Sequence, residues 1–186
     1  MRWLGILLIM SSLSHTVSAN NDQTAFTLAL EDTARWYSVD DSVMGGISRS
    51  LSGVISTGEF AFVGQLSTAN NGGFASIRRE LTLPRDLAPD SKVRISVQGD
   101  GRAYQLRFRT ASRMDGIAYA TFFQTEPDQI LEYEFSLADF KPVWRGRTVP
   151  NQPALTWPEI AQMGLMLTSK DNGEFVLIVH AISWTK

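Results

Sequence analysis

The side chains best suited to chemistry in this 186-residue chain are carboxylates in predicted loops. The chain has no cysteine and two histidines, His15 and His180, so a transition-metal site of nitrogen and sulfur ligands has too few candidates. A histidine-assisted nucleophile would depend on His180, which lies in an apolar final stretch, and the sequence contains no Gly-x-Ser-x-Gly motif. Glycoside hydrolysis needs two carboxylates, and the loop candidates are Asp40, Asp41, Asp100, Asp139 and Glu159.

Turn chemistry explains these carboxylates better than catalysis does. Asp40 and Asp41 precede a serine, and Asp100 lies between two glycines, where aspartate side chains bond to their own backbone. We therefore predict no catalytic residue, no metal and no cofactor. Two alternatives stay open: a hydrolase that uses Asp40 or Asp100, and a calcium ion held by Asp40, Asp41 and backbone oxygens.

Aromatic residues and arginines in or near the loops favour binding. Trp, Tyr and Arg supply rigid contact area and directional hydrogen bonds, and they dominate binding hot spots. The predicted binding residues combine them with the turn carboxylates and one methionine: Asp40, Asp41, Met44, Arg78, Asp100, Arg102, Tyr104, Trp144, Arg145, Arg147 and Trp157. The alternative for Trp144 and Trp157 is that they only cap one end of the fold.

Three glycine-rich corners should shape the loop surface. Glycine reaches positive φ at little steric cost, so paired glycines beside polar residues indicate demanding turns. The predicted structural turns contain Gly45, Gly46, Gly72, Gly73, Gly99, Gly101 and Gly146. We expect the three corners and the segment 144–147 to share one end of the domain.

The elements that position these loops are predicted to be β-strands. Apolar residues alternate with polar ones over 93–97 and 104–108, on both sides of a Gly-Asp-Gly turn, which is typical of a hairpin. The final strand, 174–184, is apolar on both faces, which predicts a central strand covered on both sides. Residues 137–158 are predicted to be a long loop, and 157–163 a single helical turn that begins with proline. No helical periodicity persists, so the fold class is all-β, an antiparallel β-sandwich or jelly roll.

Composition and the first residues predict one exported domain. Residues 1–19 have the charged, apolar and small-residue order of a secretory signal peptide, with an uncleaved anchor as the alternative. Residues 20–186 then form a single β-sandwich domain in the periplasm or outside the cell, without a transmembrane span. The formal net charge of −2 leaves no basic surplus for nucleic-acid binding.

The ordered motifs resemble those of the complex I intermediate-associated protein 30 family. The resemblance rests on segments spread over nearly all of 20–186, namely Trp36 with 39–48, 62–64 with 72–78, 99–104, 140–147, and 164–167 with 173–175. It implies a galactose-binding-like β-sandwich and a non-enzymatic assembly factor, or chaperone, for respiratory complex I in mitochondria.

The resulting hypothesis is a non-catalytic exported protein that binds a protein partner or assembly intermediate. The alternative is a carbohydrate-binding module of the cell envelope, in which Trp144, Trp157 and Tyr104 stack on sugar rings.

Overall fold

Thirteen strands make up most of the computed structural model, which describes residues 23–185. In chain order they are β1 (Thr24–Thr27), β2 (Tyr37–Ser38), β3 (Arg49–Val54), β4 (Phe60–Leu66), β5 (Phe74–Glu80), β6 (Val93–Gly99), β7 (Ala103–Thr110), β8 (Ala118–Gln124), β9 (Ile130–Phe135), β10 (Lys141–Trp144), β11 (Arg147–Thr148), β12 (Ile160–Thr168) and β13 (Gly173–Thr185).

The strands pair into two antiparallel sheets that face each other. Sheet A has the order β3-β4-β13-β6-β9, and β1 also pairs with β13. Sheet B has the order β11-β10-β8-β7-β12-β5-β2. The predicted all-β antiparallel sandwich is therefore confirmed.

Helical structure in residues 23–185 is limited to six 3₁₀ turns of three or four residues. They span Thr33–Arg35, Asp41–Met44, Ala69–Asn71, Ala111–Arg113, Leu137–Asp139 and Trp157–Glu159. Within this described range, no helix has the length and apolarity to cross a membrane. The signal peptide predicted at residues 1–19 lies outside the described residues.

The core lies between the sheets, and the alternation of side chains along β6 and β7 places apolar residues in it. In β7 the apolar side chains Tyr104, Leu106 and Phe108 are completely buried in the core, and the alternate residues Gln105, Arg107 and Arg109 lie on the outer face of sheet B. Aromatic rings fill much of the interior, and Phe108 packs against Phe140 and against Trp157. The same alternation that builds the core thus sets a polar row on the opposite face.

Three expectations about elements need correction. The segment 137–158 is not a continuous loop, because β10 and β11 form a hairpin in it. The helical turn predicted over 157–163 ends at Glu159, because β12 already begins at Ile160. Strand β13 is central, but Val176 on its outer face is 41% exposed, so that face is not covered.

Candidate binding groove on sheet B

A groove of about 680 Å³ lies on the outer face of sheet B. Its floor is formed by β5, β12 and β7, and its sides by the first two glycine corners and the β10–β11 hairpin. Of the predicted binding residues, it brings together Met44, Arg78, Trp144 and Arg145. Gly72, Gly73 and Gly146 also line it.

The register of three strands places two arginines in one row on the groove floor. Gly164 of β12 is directly opposite Arg78 of β5 on one side and Arg107 of β7 on the other. A Cβ atom at Gly164 would lie 2.8 Å from the carbonyl oxygen of Ile77 and 3.4 Å from the Arg78 side chain. The absence of a side chain at position 164 therefore leaves room for the arginines to lie over the sheet.

Two glutamines orient the arginines of β7. Arg107 Nη1 donates to Gln105 Oε1 at 2.6 Å, and the Gln105 amide donates to the Thr168 hydroxyl at 3.2 Å. Arg109 Nη1 donates to Gln162 Oε1 at 3.1 Å, and the Gln162 amide donates to the Tyr37 hydroxyl at 2.9 Å. Both acceptors are neutral, so these contacts fix position without balancing charge.

The groove arginines lack a carboxylate partner within residues 23–185. None of Arg78, Arg107 and Arg109 forms a salt bridge there, and the Nε atoms of Arg107 and Arg109 are buried without a hydrogen-bond partner. Asp115 is the one carboxylate among the described residues that line the groove, and it is exposed. The groove floor is thus a cluster of positive charge with unused donors.

The pKa values of these arginines are lowered first by burial and then by mutual repulsion, which attraction of Arg109 to Tyr37 and Asp115 offsets only in part. Burial, with repulsion from Arg78 and Arg107, lowers the pKa of Arg109 to about 9. Burial, with repulsion from Arg78, lowers the pKa of Arg107 to about 10. Both groups stay cationic at neutral pH, in a place where a cation is costly.

The rim of the groove carries three exposed apolar side chains. Met44 is 54% exposed, Phe122 is 62% exposed and Trp144 is 42% exposed. The guanidinium carbon of Arg145 lies 5.4 Å from the centre of the Trp144 ring, a cation–π contact. Exposed apolar side chains around a charged floor are typical of a surface that binds a partner.

Asp40 and Asp41, both predicted to bind a ligand, are buried structural groups. Asp41 accepts from the backbone N–H and hydroxyl of Ser48 and from the N–H of Gly73 and Phe74, and Asp40 accepts from Ser50 and Ser76. Burial raises the pKa of Asp41, but these hydrogen bonds outweigh it, and the pKa lies below its ordinary value. The pair joins the β3 region of sheet A to the β5 region of sheet B. In residues 23–185 no cluster of three His, Asp or Glu side chains forms a metal site.

Tyr104 and Trp157 belong to the core rather than to a binding surface. Tyr104 is fully buried, and its hydroxyl donates to Asp100 or Val176 O at 3.0 and 3.2 Å. Burial is the main cause that raises the pKa of Tyr104 above its ordinary value. Trp157 is 1% exposed, so neither ring is available to stack on a sugar.

The third glycine corner lies away from the groove. Asp100 lines a separate depression on the outer face of sheet A, and Arg102 pairs with it at 3.4 Å. Arg147 is exposed in the β10–β11 hairpin but does not line the groove. The single rim that was expected to carry three corners and the hairpin is therefore split between two faces.

The predicted turn glycines have two different reasons to be glycine. Gly45, Gly73, Gly101 and Gly146 have positive φ angles of 91°, 119°, 89° and 76°. Gly46, Gly72 and Gly99 do not, but a Cβ atom at each would come closer than 3.0 Å to a neighbour, which is Asp41 for Gly46 and Gly72. The first two corners thus close around the Asp41 carboxylate.

Sequence reasoning missed most residues of the groove: Gln105, Arg107, Arg109, Gly164 and Met166 on the floor and Phe122 at the rim. It also missed Gln162, which accepts from Arg109. The polar half of the β7 alternation was visible, since Gln105, Arg107 and Arg109 recur at every second position. What was not visible is that β5 brings Arg78 alongside them across Gly164.

Solved structures with a similar fold are carbohydrate-binding modules and agarases. The family 11 carbohydrate-binding module from Clostridium thermocellum in complex with a β-1,3-1,4-mixed-linked tetrasaccharide has a TM-score of 0.62 and 15% identity, over 84% of this chain and 93% of that chain. The family 11 module of the cellulosomal cellulase Lic26A-Cel5E of Clostridium thermocellum has a TM-score of 0.60 and 13% identity, over 87% and 95%. The agarase AgWH50C has a TM-score of 0.58 and 9% identity, over 88% of this chain and 25% of that chain.

At these identities the likeness shows the fold, which is the expected galactose-binding-like β-sandwich, and nothing of the ligand. A comparison with curated proteins finds no significant match.

The sequence profile of one family covers most of the chain. It is that of complex I intermediate-associated protein 30, and it matches residues 24–179, which include both sheets, the groove and nearly every strand. The chain therefore belongs to the complex I intermediate-associated protein 30 family.

Proposed function

We propose that this protein is a non-catalytic binding protein of the assembly-factor or chaperone type, and that the sheet-B groove binds a partner protein. The observation that carries the proposal is the groove itself, an open site with an arginine floor and exposed Met44, Phe122 and Trp144 at its rim. Arginine and aromatic residues that meet in one site are the usual centre of a protein interface. Membership of the complex I intermediate-associated protein 30 family supports an assembly role.

The chemistry of the groove supports binding rather than hydrolysis. A glycosidase needs two carboxylates on either side of the scissile bond, whereas Asp115 is the one carboxylate among the groove's described lining residues. Asp40 and Asp41 already accept several hydrogen bonds each and are 7% and 0% exposed, so a substrate has no route to them.

Site-specific photo-crosslinking tests the location of the interface. A photoreactive residue at Phe122 in the groove should crosslink to a partner protein in cells of the source organism. The matched control is Ile130, which lies on the edge strand β9 of sheet A and is 59% exposed, close to the 62% of Phe122. Equal crosslinking at both positions would contradict the groove as the interface.

A carbohydrate ligand is the second candidate, because a structure with this fold was solved with a mixed-linked tetrasaccharide and because Trp144 is exposed beside the groove. Titration of the full chain with that tetrasaccharide, followed by tryptophan fluorescence, tests it. Saturable quenching that disappears in Trp144→Ala would favour the carbohydrate over the protein partner.

We further propose that the domain works outside the cytoplasm, on the strength of the signal-like residues 1–19. Fractionation of cells into cytoplasm, periplasm and membrane tests this. Recovery of the chain in the cytoplasm would contradict it.

A further inference from the structure

The groove arginines differ from Arg79, the buried arginine that follows Arg78 on β5. Arg79 points into the domain, where its Nη1 donates to the carbonyl oxygen of Ala29 at 2.9 Å and its guanidinium lies 5.5 Å from the Trp36 ring. Arg107 and Arg109 donate only to neutral acceptors, namely two glutamine oxygens and, for Arg107, the Met166 sulfur at 3.1 Å, and their Nε atoms are buried without a partner. The fold thus completes the environment of Arg79 but leaves that of the groove arginines incomplete.

We propose that the groove recognises an extended acidic segment of a partner protein, whose side-chain carboxylates pair with Arg78, Arg107 and Arg109. This inference rests on the proposed function above and names the chemistry of the partner.

Carboxylates fit the unused donors of this site. A guanidinium group presents its N–H donors as a planar fork that matches the two oxygens of a carboxylate. Because Gln105 and Gln162 already hold Arg107 and Arg109 in place, a ligand would not have to immobilise them. Clusters of arginine are a recurring means of recognising acidic motifs.

The spacing of the arginines matches an extended chain. Arg107 and Arg109 are alternate residues of one strand, so their Cα atoms lie about 7 Å apart. Alternate side chains of an extended peptide repeat at the same distance, about 7 Å. We therefore expect acidic residues at positions i and i+2 of the bound segment, with Arg78, two strands away, available to a third carboxylate.

The rim favours a peptide over an acidic sugar. Sugars bind to flat aromatic faces, but the guanidinium of Arg145 lies over the Trp144 ring. The other exposed apolar groups that line the groove are Val43, Met44 and Phe122, and the flexible Met44 side chain suits contact with varied side chains. A peptide that carries apolar residues between its acids would use both the rim and the floor.

A peptide-display selection tests the inference with the full chain as bait. The library presents random ten-residue segments fused to linkers at both ends, so free chain termini do not contribute. Selected segments should be rich in Asp and Glu at i and i+2. A synthetic copy of one such segment should bind at least ten-fold more tightly than its copy with Gln and Asn in place of Glu and Asp.

Matched variants of the chain assign the effect to the groove. Arg107→Gln should weaken the acidic peptide at least ten-fold and leave its amide copy unchanged, whereas Arg85→Gln, an exposed arginine outside the groove, should change neither. If Arg107→Gln lowers the melting temperature by more than a few degrees, Arg78→Gln replaces it, because Arg78 is only half-buried and forms no salt bridge in residues 23–185.

The outcomes separate this inference from the proposed function. Selected peptides that lose binding in Phe122→Ala but show no acidic enrichment would overturn the inference and leave the groove as a protein-binding site. Binding of an oligogalacturonate that depends on Arg107, without binding of any peptide, would replace both proposals with an acidic glycan. A library that yields no groove-dependent binder would overturn both.

Discussion

At the scale of single residues, Asp41 is the group on which the first two corners depend. Its carboxylate is fully buried and accepts hydrogen bonds from Ser48, Gly73 and Phe74, which belong to segments on both sheets. A carboxylate in this position has no need of an outside ligand, because the backbone N–H groups already balance it. Asp41, which the sequence suggested as a binding residue, instead links the first two glycine corners through hydrogen bonds.

We expect Asp41→Asn to lower the free energy of unfolding by about 2 to 4 kcal/mol, because an amide cannot accept from all of these donors and several would stay buried without a partner. Urea unfolding at pH 7 measures the loss. Asp86→Asn, on an exposed loop, is the control and should change stability little.

The same variant should also change the acid limb of the stability curve. The pKa of Asp41 in the fold lies below the ordinary value of 3.8, so the unfolded chain binds the proton more readily. The stabilisation is present above about pH 4 and is lost as the pH falls through the lower folded pKa. Asp41→Asn should therefore lose less stability than the wild type between pH 4 and pH 2, and an unchanged slope would contradict this role.

At the scale of elements, the turn of the β10–β11 hairpin places an arginine in a backbone conformation that arginine rarely adopts. Trp144 pairs with Arg147, and the two residues between them, Arg145 and Gly146, have φ angles of 47° and 76°. Two-residue turns of this kind favour Asn-Gly, because a side chain such as that of arginine is strained at positive φ. Strain of this sort is found where function requires the residue, and Arg145 lines the groove.

We expect Arg145→Asn to keep or raise the stability of the domain, by up to about 1 kcal/mol, because asparagine tolerates positive φ. The same change should reduce crosslinking of a partner through Phe122, since the cation above Trp144 is lost. Arg147→Asn, in the same hairpin but outside the groove, should leave crosslinking unchanged. A clear fall in stability of Arg145→Asn would mean that the arginine serves the turn rather than the ligand.

The sequence predicts an element well where one of its faces is buried and the other is not. Alternation identified β6 and β7, because Val93, Ile95 and Val97 alternate with polar residues. It missed β10 and β11, where Pro142 and the Arg-Gly turn resemble loop composition. Local patterns also fail at the groove, because the row of Arg78, Gly164 and Arg107 depends on the register of strands that are distant in sequence.

At the scale of the whole molecule, the two faces of sheet B differ in how their arginines are partnered. The inner face carries Arg79 with a carbonyl oxygen and an indole ring as partners, and the outer face carries three arginines that repel one another. The formal net charge of −2 does not relieve this repulsion, since no carboxylate lies within salt-bridge distance of these arginines in residues 23–185. A site built for an anion should therefore reduce the stability of the unliganded domain.

The neighbouring residues Arg78 and Arg79 allow the stability cost of the unpaired groove cations to be measured. We expect Arg78→Met to raise the free energy of unfolding by about 1 kcal/mol, because it removes a half-buried cation that forms no salt bridge in residues 23–185 and relieves its repulsion of Arg107 and Arg109. These gains should outweigh the lost attraction to Tyr37 and Asp115. Arg79→Met should lower it by about 1 to 3 kcal/mol, because the Ala29 carbonyl loses its donor and the Trp36 ring loses its cation. Chemical denaturation of both variants at pH 7 and low salt gives the comparison, and the gain from Arg78→Met should shrink as salt screens the repulsion. If both variants lose stability equally, Arg78 stabilises the fold. The cations of the unliganded groove would then not be destabilising, and the proposed anion-binding site would lose this support.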